Sequence, residues 1–315
     1  MSVLARSVTD ALTVAGFRVG WSAVRRMPER LAYALFDRVA DVTVARGGAD
    51  RLRSNYARGR PDLEDAALDS LVREGMRRYM RYYCEAFRLP TLDADDLAVR
   101  VRVEGDGPVR EVIDGGGSVV AFLGHLGNWD LAGAWGTVHL GPVTTVAERL
   151  KPEEVFEEFL EFRESLGMTI IPLTGGVNPF PALREASHRP GIIPLLADRD
   201  LTARGVDVSF CGHAARMAFG PAALALAERR PLHPVSIRHE RRGTGWGIVI
   251  TFHPAVDVPS AGTTRERATA MTQACADVLG AAVVEHTADW HMLQRVFLDD
   301  LDLDRLATSA GEVAR

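Results

Sequence analysis

The spacing of hydrophobic residues changes near residue 90 of this 315-residue chain. Before that point, apolar side chains recur every three or four residues, as they do on amphipathic helices. After it, short apolar runs rich in β-branched residues alternate with helical stretches. This alternation favours an α/β fold, and we predict a mixed central sheet flanked by helices on both faces, with an N-terminal amphipathic helical extension.

We predict three parts along the chain: a helical membrane-associating region, an α/β core and a polar tail, at residues 1–90, 91–300 and 301–315. In the helical region, two amphipathic helices are predicted between Val8 and Arg46, separated near Pro28, which suits the first turn of a helix. Arginines and aromatic residues alternate on them, as on helices that lie in a membrane interface. Simple packing of these helices onto the core is the alternative. A further helix is predicted between Asp62 and Phe87.

The apolar pattern of the core predicts eight strands and six helices. The strands are predicted at residues 98–103, 119–123, 143–147, 169–172, 191–196, 206–210, 233–239 and 246–252. The helices are predicted at residues 108–114, 131–140, 152–166, 181–187, 220–229 and 264–286. The glycine-rich turn at Arg242-Gly-Thr-Gly245 separates the last two strands, which indicates an antiparallel hairpin.

The segment from Ser118 to Leu140 carries the clearest candidate chemistry. Its run Val119 to Leu123 is apolar throughout and suits a strand buried on both faces. His125 follows the end of this strand, and Asp130 falls where the N-cap of a helix is expected. Ligands and reacting groups of open α/β sheets gather at the carboxyl ends of strands, so His125 is well placed for catalysis.

His125 and Asp130 are predicted to act as a general base and its orienting carboxylate. Asp130 can accept a hydrogen bond from Nδ1 of His125, which fixes the tautomer and leaves Nε2 to take a proton. Backbone N–H groups near Gly127 and Asn128 are candidates for stabilising an oxyanion. The alternative is structural: His125 packs in the core, and Asp130 only caps its helix.

Several common catalytic motifs are missing from the sequence. It has no serine nucleophile elbow, no phosphate-binding P-loop, no dinucleotide fingerprint and no H-E-x-x-H motif. A covalent acyl-enzyme therefore has little support. The three cysteines lie far apart, without the spacing of metal ligands. We predict no metal site, no cofactor and no disulfide framework.

The net charge of −5 hides an uneven distribution, because residues 1–90 hold sixteen arginines against eleven acidic residues. A basic helical region beside an acidic body favours an anionic surface as partner. No nucleic-acid-binding motif accompanies the basic and aromatic residues between Met76 and Tyr83, so nucleic acid is not predicted as a partner. We expect neither a transmembrane span nor a secretory signal, since no apolar run is long enough.

Further candidate substrate-binding residues lie around the predicted helix 152–166. Glu148, Arg149 and Lys151 follow a strand and open this helix, and basic side chains at such a position can meet phosphate. Arg163 lies near the end of the helix. It is either an anion clamp or a charge favoured there by the helix dipole.

Two strand ends and one C-terminal residue complete the candidates. Thr174 and Gly175 belong to a glycine turn whose backbone can approach a ligand closely. Asp198 and Arg199 follow the end of the predicted strand at 191–196. A buried Asp198 needs a cation or an imidazole as partner. His291 either lines the same cleft or belongs to the core.

Six motifs, in this order, resemble the lysophospholipid and lipid A late acyltransferase superfamily, and within it the actinobacterial phosphatidylinositol mannoside acyltransferases. They are H-L-G-N-W-D, A-E-R-L-K-P-E, F-R-E-S-L-G, P-L-T-G-G, D-R-D-L-T and A-D-W-H-M-L-Q. The likeness extends from the N-terminal helices to about Leu298. It implies a glycerolipid acyltransferase-like fold, with His125 as the base, Asp130 as its partner, Arg163 as a supporting charge and Asp198 as a second acidic group near the histidine.

The same resemblance implies a peripheral enzyme on the cytoplasmic face of the plasma membrane. Its expected reaction transfers a palmitoyl group from the co-substrate acyl-CoA to the mannose 6-hydroxyl of phosphatidylinositol mono- or dimannoside. Three alternatives remain open: an acyl-CoA thioesterase that uses the same pair on water, another glycolipid or lysophospholipid O-acyltransferase, and a non-catalytic membrane-binding protein.

Overall fold

A computed structural model of the protein describes residues 20–147, 153–173, 178–200, 205–243 and 245–301. Five of the candidate residues lie outside these ranges, together with most of the predicted C-terminal tail. They are Glu148, Arg149, Lys151, Thr174 and Gly175.

The helical region contains a helical segment at residues 20–26, followed by α1 Glu29–Ala45, α2 Asp50–Gly59 and α3 Asp65–Arg88. Pro28 lies directly before α1, as predicted. Helix α2 was not predicted, because its sequence is short and mostly polar. Two apolar residues one turn apart, Leu52 and Tyr56, are fully buried and attach it to the rest of the protein.

The remaining chain alternates between helices and strands. The elements are α4 Ala94–Arg100, β1 Val101–Glu104, α5 Gly107–Asp114, β2 Ser118–Leu123, α6 Trp129–His139, β3 Thr144–Ala147, α7 Glu153–Ser165, β4 Thr169–Pro172, α8 Phe180–Ser187, β5 Gly191–Leu196, β6 Val206–Phe210, β7 His213–Met217, α9 Gly220–Glu228, β8 Leu232–Arg242, β9 Gly245–Phe252 and α10 Thr264–Glu285.

The first predicted strand began too early, at residue 98. Residues up to Arg100 belong to helix α4, which starts with a capping box in which Asp93 and Asp96 satisfy each other's backbone N–H groups. Strand β7 was missed because its sequence His-Ala-Ala-Arg-Met has no β-branched residue. It forms by antiparallel pairing with β6 across the turn at Cys211 and Gly212.

Five strands form the central sheet in the order β1-β9-β8-β2-β5. Strand β2 runs parallel to β5 and β8, whereas β8 and β9 form the predicted antiparallel hairpin. The predicted mixed sheet is confirmed. At the carboxyl ends of β2 and β5, Leu123 pairs with Leu196, so the residues that follow these two strands emerge side by side.

The two faces of the sheet belong to two different hydrophobic clusters. Along β2, Val120 and Phe122 contribute to one cluster, and Val119, Ala121 and Leu123 contribute to the other. Strand β2 is therefore buried on both faces, as predicted. The first cluster also contains apolar residues of helices α2 and α3, so the helical region packs against the sheet. The boundary at residue 90 stays a prediction. Among the described residues, no helix combines the length and the apolar character needed to cross a bilayer.

Candidate active site

His125 is held by Asp198 where strands β2 and β5 end. Nδ1 of the imidazole lies 2.6 Å from Oδ1 of Asp198, and the backbone N–H of His125 donates to Oδ2 at 2.9 Å. The His125 side chain is 20% exposed, whereas that of Asp198 is 1% exposed. Because a carboxylate only accepts, Nδ1 carries the hydrogen. Within the described residues Nε2 has no hydrogen-bond partner, so it is free to accept a proton.

A further contact helps to keep the Asp198 carboxylate ionised. The indole N–H of Trp290 donates to Oδ2 at 2.9 Å. Burial raises the pKa of Asp198, but the charge of His125 and the hydrogen bonds from His125 and Trp290 outweigh it, and the net pKa is lower than usual. An ionised Asp198 fixes the tautomer of His125 and stabilises the imidazolium that forms when Nε2 takes a proton.

The predicted hydrogen bond between His125 and Asp130 is wrong. The N-cap of helix α6 is Asn128, whose Oδ1 accepts from the backbone N–H of Leu131 at 2.9 Å. Asp130 is thus the second residue of the helix and not its cap. Its carboxylate accepts from Arg163 Nε at 2.7 Å and from the Tyr82 hydroxyl at 2.6 Å. The early start of the helix turns Asp130 toward helices α3 and α7. A catalytic role for Asp130 stays a prediction.

Asp130 and Arg163 form a largely buried ion pair. Burial lowers the pKa of the Arg163 guanidinium, but the charge of Asp130 and its hydrogen bond raise it further, so the net shift is upward. Burial, followed by the charge of Asp130, also raises the pKa of Tyr82 well above its usual value. The arginine therefore stays charged and the tyrosine neutral over the physiological pH range.

An apolar cavity opens next to these residues. It encloses about 770 Å³ of empty space, its open mouth included. Trp129 lines the cavity, and its ring centroid lies 5.6 Å from that of His125. The charged residues of the lining are Asp130 and Arg163. Most other lining side chains are apolar, among them Leu123, Trp135, Met168, Val235 and Ile250. His125 and Asp198 are not among the lining residues, so Trp129 is the contact between the cavity and the imidazole.

A comparison with protein families decides the class of the protein. The model of the bacterial lipid A biosynthesis acyltransferase family matches residues 5–299. The chain belongs to this family. The resemblance inferred from the motifs is confirmed, and the protein is an acyltransferase.

Curated relatives of this lipid A-family acyltransferase carry a more specific name. The phosphatidylinositol mannoside acyltransferase of Mycolicibacterium smegmatis is 42% identical over 309 residues, which cover 96% of both chains. The protein of the same name from Mycobacterium tuberculosis H37Rv is 41% identical over 305 residues, which cover 96% of this chain and 93% of the relative. Among solved structures, the 1-acyl-sn-glycerophosphate acyltransferase PlsC from Thermotoga maritima aligns with a TM-score of 0.38 and 16% identity, covering 84% of this chain and 99% of that chain.

The C-terminal segment of the acyltransferase supplies contacts that were not predicted. Leu126 and Trp290 form a β-bridge, and the backbone N–H of His291 donates to the carbonyl of His125 at 2.7 Å. The backbone N–H of Gly127 donates to the carbonyl of Asp289 at 2.9 Å, so its predicted role as an oxyanion donor is wrong. The motif Ala-Asp-Trp-His was the available signal, but it did not show that this segment holds the loop of His125.

His291 and Arg199 remain as predicted substrate-binding residues within the described chain. The His291 side chain is buried, and neither ring nitrogen has a hydrogen-bond partner among the described residues. Burial and the charge of His239 lower the pKa of His291 to about 3, so this imidazole is neutral. Arg199 is half-buried directly after Asp198. Contact of either residue with substrate stays a prediction. Among the described residues, no group of three or more potential ligands is placed to hold a metal ion.

Proposed function

We propose that this acyltransferase moves a palmitoyl group from acyl-CoA to the mannose 6-hydroxyl of phosphatidylinositol mono- or dimannoside. The observation that carries the proposal is the His125–Asp198 dyad, whose imidazole has an open Nε2 and contacts Trp129 on the wall of an apolar cavity. The names of the relatives at 41–42% identity support the choice of acceptor.

In the proposed reaction, Nε2 of His125 removes the proton of the sugar hydroxyl while its oxygen attacks the thioester carbonyl. The tetrahedral intermediate then collapses, the carbon–sulfur bond breaks, and the imidazolium returns the proton to the departing thiolate. The products are the acylated glycolipid and free coenzyme A. Asp198 stabilises the imidazolium throughout, and no acyl-enzyme forms.

The Asp130–Arg163 pair has a supporting role in this proposal. The Arg163 guanidinium donates to both oxygens of the Asp130 carboxylate. Nε lies 2.7 Å from Oδ1, and a terminal nitrogen lies 3.2 Å from Oδ2. A fixed positive charge on the cavity wall favours the negative charge that develops on the thioester oxygen. Asp130 positions that charge without touching the reacting atoms.

The other predicted contacts belong to the same proposal. The acyl chain would lie in the apolar cavity. Arg199 and His291 are kept as proposed contacts of coenzyme A or the acceptor, together with the predicted residues outside the described ranges, Glu148, Arg149, Lys151, Thr174 and Gly175. No cofactor is proposed.

Helix α1 supports the proposed attachment to the cytoplasmic face of the membrane. Leu31, Leu35 and Val39, spaced by one helical turn, are 61%, 46% and 44% exposed. Arg30 and Arg38 are exposed beside this apolar stripe. An exposed apolar stripe with flanking arginines suits a helix lying in an anionic lipid interface.

The reaction is tested by incubating the purified enzyme with radiolabelled palmitoyl-CoA and phosphatidylinositol dimannoside in mixed micelles. We expect the label on the glycolipid in an acceptor-dependent manner. Label that appears only as free palmitate would support the thioesterase alternative and contradict the proposal. Lysophosphatidic acid replaces the glycolipid in a parallel reaction, and a preference for it would contradict the proposed acceptor.

Membrane attachment is tested separately, with the triple substitution of Leu31, Leu35 and Val39 to serine. We expect weaker co-sedimentation with vesicles that contain phosphatidylinositol, because the apolar area available for insertion is removed. The matched control replaces Val99, Val138 and Val258, which are 70%, 51% and 48% exposed elsewhere on the surface, by serine. Equal binding by both triple variants would contradict the assignment to α1.

A further inference from the structure

A second imidazole–carboxylate pair lies behind the active site. His239, on strand β8, is fully buried, and its Nδ1 lies 2.8 Å from Oδ1 of Asp289. On the other side of the ring, Nε2 lies 3.5 Å from Oε2 of Glu85. Arg78 donates to Oδ2 of Asp289 at 2.6 Å. We call these four residues the buried charge cluster. The proposed reaction uses none of them.

Both carboxylate residues of the buried charge cluster also hold the loop that carries His125. The backbone carbonyl of Asp289 accepts from the N–H of Gly127 at 2.9 Å. Oε2 of Glu85 accepts from the side-chain amide of Asn128 at 2.7 Å. Asn128 in turn caps helix α6. The loop after β2 is therefore attached to the cluster at two successive residues.

The loop that carries His125 also packs closely against strand β8. Gly127 has a φ of +59°, and a Cβ built there would lie 2.7 Å from the backbone oxygen of Ile237. The loop thus runs tightly against strand β8, two residues before His239. An imidazole that joins Asp289 to Glu85 also joins the two anchors of the loop to this strand.

We propose that His239 is a positioning residue for His125: its imidazolium bridges Asp289 and Glu85 and thereby fixes the loop that carries the base. His239 itself contacts no substrate in this assignment. The proposal rests on the proposed function, because positioning matters for catalysis only where His125 is the base.

The charges around His239 agree with this role. Burial lowers the pKa of His239, but the hydrogen bond to Asp289 and the charges of Glu85 and Asp289 outweigh it and raise the pKa to about 9. The surrounding charged and titratable groups are Glu74, Arg78, Arg81 and Glu85 from α3, and Asp289 and His291 from the C-terminal segment. A protonated His239 places a cation between two buried carboxylates, whereas a neutral His239 would withdraw that cation from both, which is costly.

The test compares His239→Gln with His233→Gln. Both histidines lie on β8 and are buried, but His233 contacts the backbone carbonyl of His253 and not the loop of His125. We expect His239→Gln to lower kcat by about 10-fold or more, because a misplaced base loses its attack geometry, while KM for palmitoyl-CoA stays close to the wild-type value. His233→Gln should keep the wild-type kcat. An unchanged kcat in His239→Gln, or an equal loss in both variants, would overturn the proposal.

A pH profile adds a readout that a purely structural role would not change. We expect kcat of the wild-type enzyme to fall as the pH rises through about 9, where His239 loses its proton, and we expect this step to be absent in His239→Gln. A step of the same size in His239→Gln would count against the proposal.

If His239→Gln does not fold, Glu85→Gln replaces it, since the amide still accepts from Asn128 but lacks the charge. The same 10-fold loss is expected, and wild-type kcat in Glu85→Gln would overturn the proposal.

His125→Ala separates this inference from the proposed function. Full turnover by His125→Ala would refute the proposed function. An inactive His125→Ala together with a normal His239→Gln would refute the positioning role alone.

Discussion

The protein contains two imidazole–carboxylate pairs that are alike in contact geometry and different in surroundings. Nδ1 of His125 lies 2.6 Å from Asp198, and Nδ1 of His239 lies 2.8 Å from Asp289. The His125 side chain is 20% exposed, whereas His239 is fully buried. Nε2 of His125 has no partner among the described residues, but Nε2 of His239 faces a second carboxylate, that of Glu85.

The second ring nitrogen therefore decides what each histidine can do. An imidazole with one nitrogen held by a carboxylate and the other open can accept a proton from a substrate. An imidazole between two buried carboxylates keeps its proton, because the pKa of His239 is raised to about 9. At neutral pH it has no lone pair to offer and acts as a fixed cation.

The largest effect in this comparison is expected from His125→Ala. Loss of the proposed general base should lower kcat by about 10³-fold. The thermal unfolding midpoint should also fall, because the buried Asp198 carboxylate loses its imidazole partner. Steady-state kinetics and thermal unfolding of the same preparation measure both quantities. If His125→Ala turned over at a rate close to wild type, the proposed difference in function between the His125–Asp198 and His239–Asp289 pairs would be contradicted.

A smaller loss of activity is expected when Asp198 is replaced by asparagine. Asp198→Asn removes the charge that stabilises the imidazolium and should lower kcat by about 10²-fold. Asp130→Asn serves as the matched comparison. It leaves the buried Arg163 cation without its partner and should mainly reduce the free energy of unfolding, by about 3 kcal/mol. Kinetics and urea unfolding separate the two variants. A greater loss of kcat in Asp130→Asn than in Asp198→Asn would restore the pair predicted from the sequence.

The smallest expected effect is the pH dependence of stability due to His239. The pKa of His239 is about 9 in the folded protein and about 6.5 in an unfolded chain. Between these two pH values the folded protein keeps a proton on His239 that the unfolded chain releases. This contribution is complete below pH ~6.5 and is lost as the pH rises through about 9. Urea unfolding between pH 6 and 9 should show the decline in the wild type and a smaller one in His239→Gln. Parallel curves for the two proteins would show that His239 is not the group responsible.

Much of the fold follows from local sequence patterns. Strands such as β2 and β5 are continuous apolar runs, so their bounds and burial were predictable. Strand β7 was not, because its stability comes from pairing with β6 and not from its own residues. The turn between them, with Cys211 at φ +51° and Gly212 at φ +77°, is a two-residue hairpin turn. Its glycine was the local signal that marks this hairpin.

The candidate site was predictable in its residues but not in its pairing. The sequence by itself determined that His125 and Asp198 both follow apolar strands, and that Asp130 follows His125 at the start of a helix. Only the tertiary structure decided that β5 lies beside β2, which brings Asp198 to His125 across 73 residues of chain. It also decided that Asn128 caps helix α6, which turns Asp130 to Arg163. Hydrophobic patterns specify where a strand ends, whereas hydrogen-bond partners depend on which strands become neighbours and on the direction in which a helix presents its first turn.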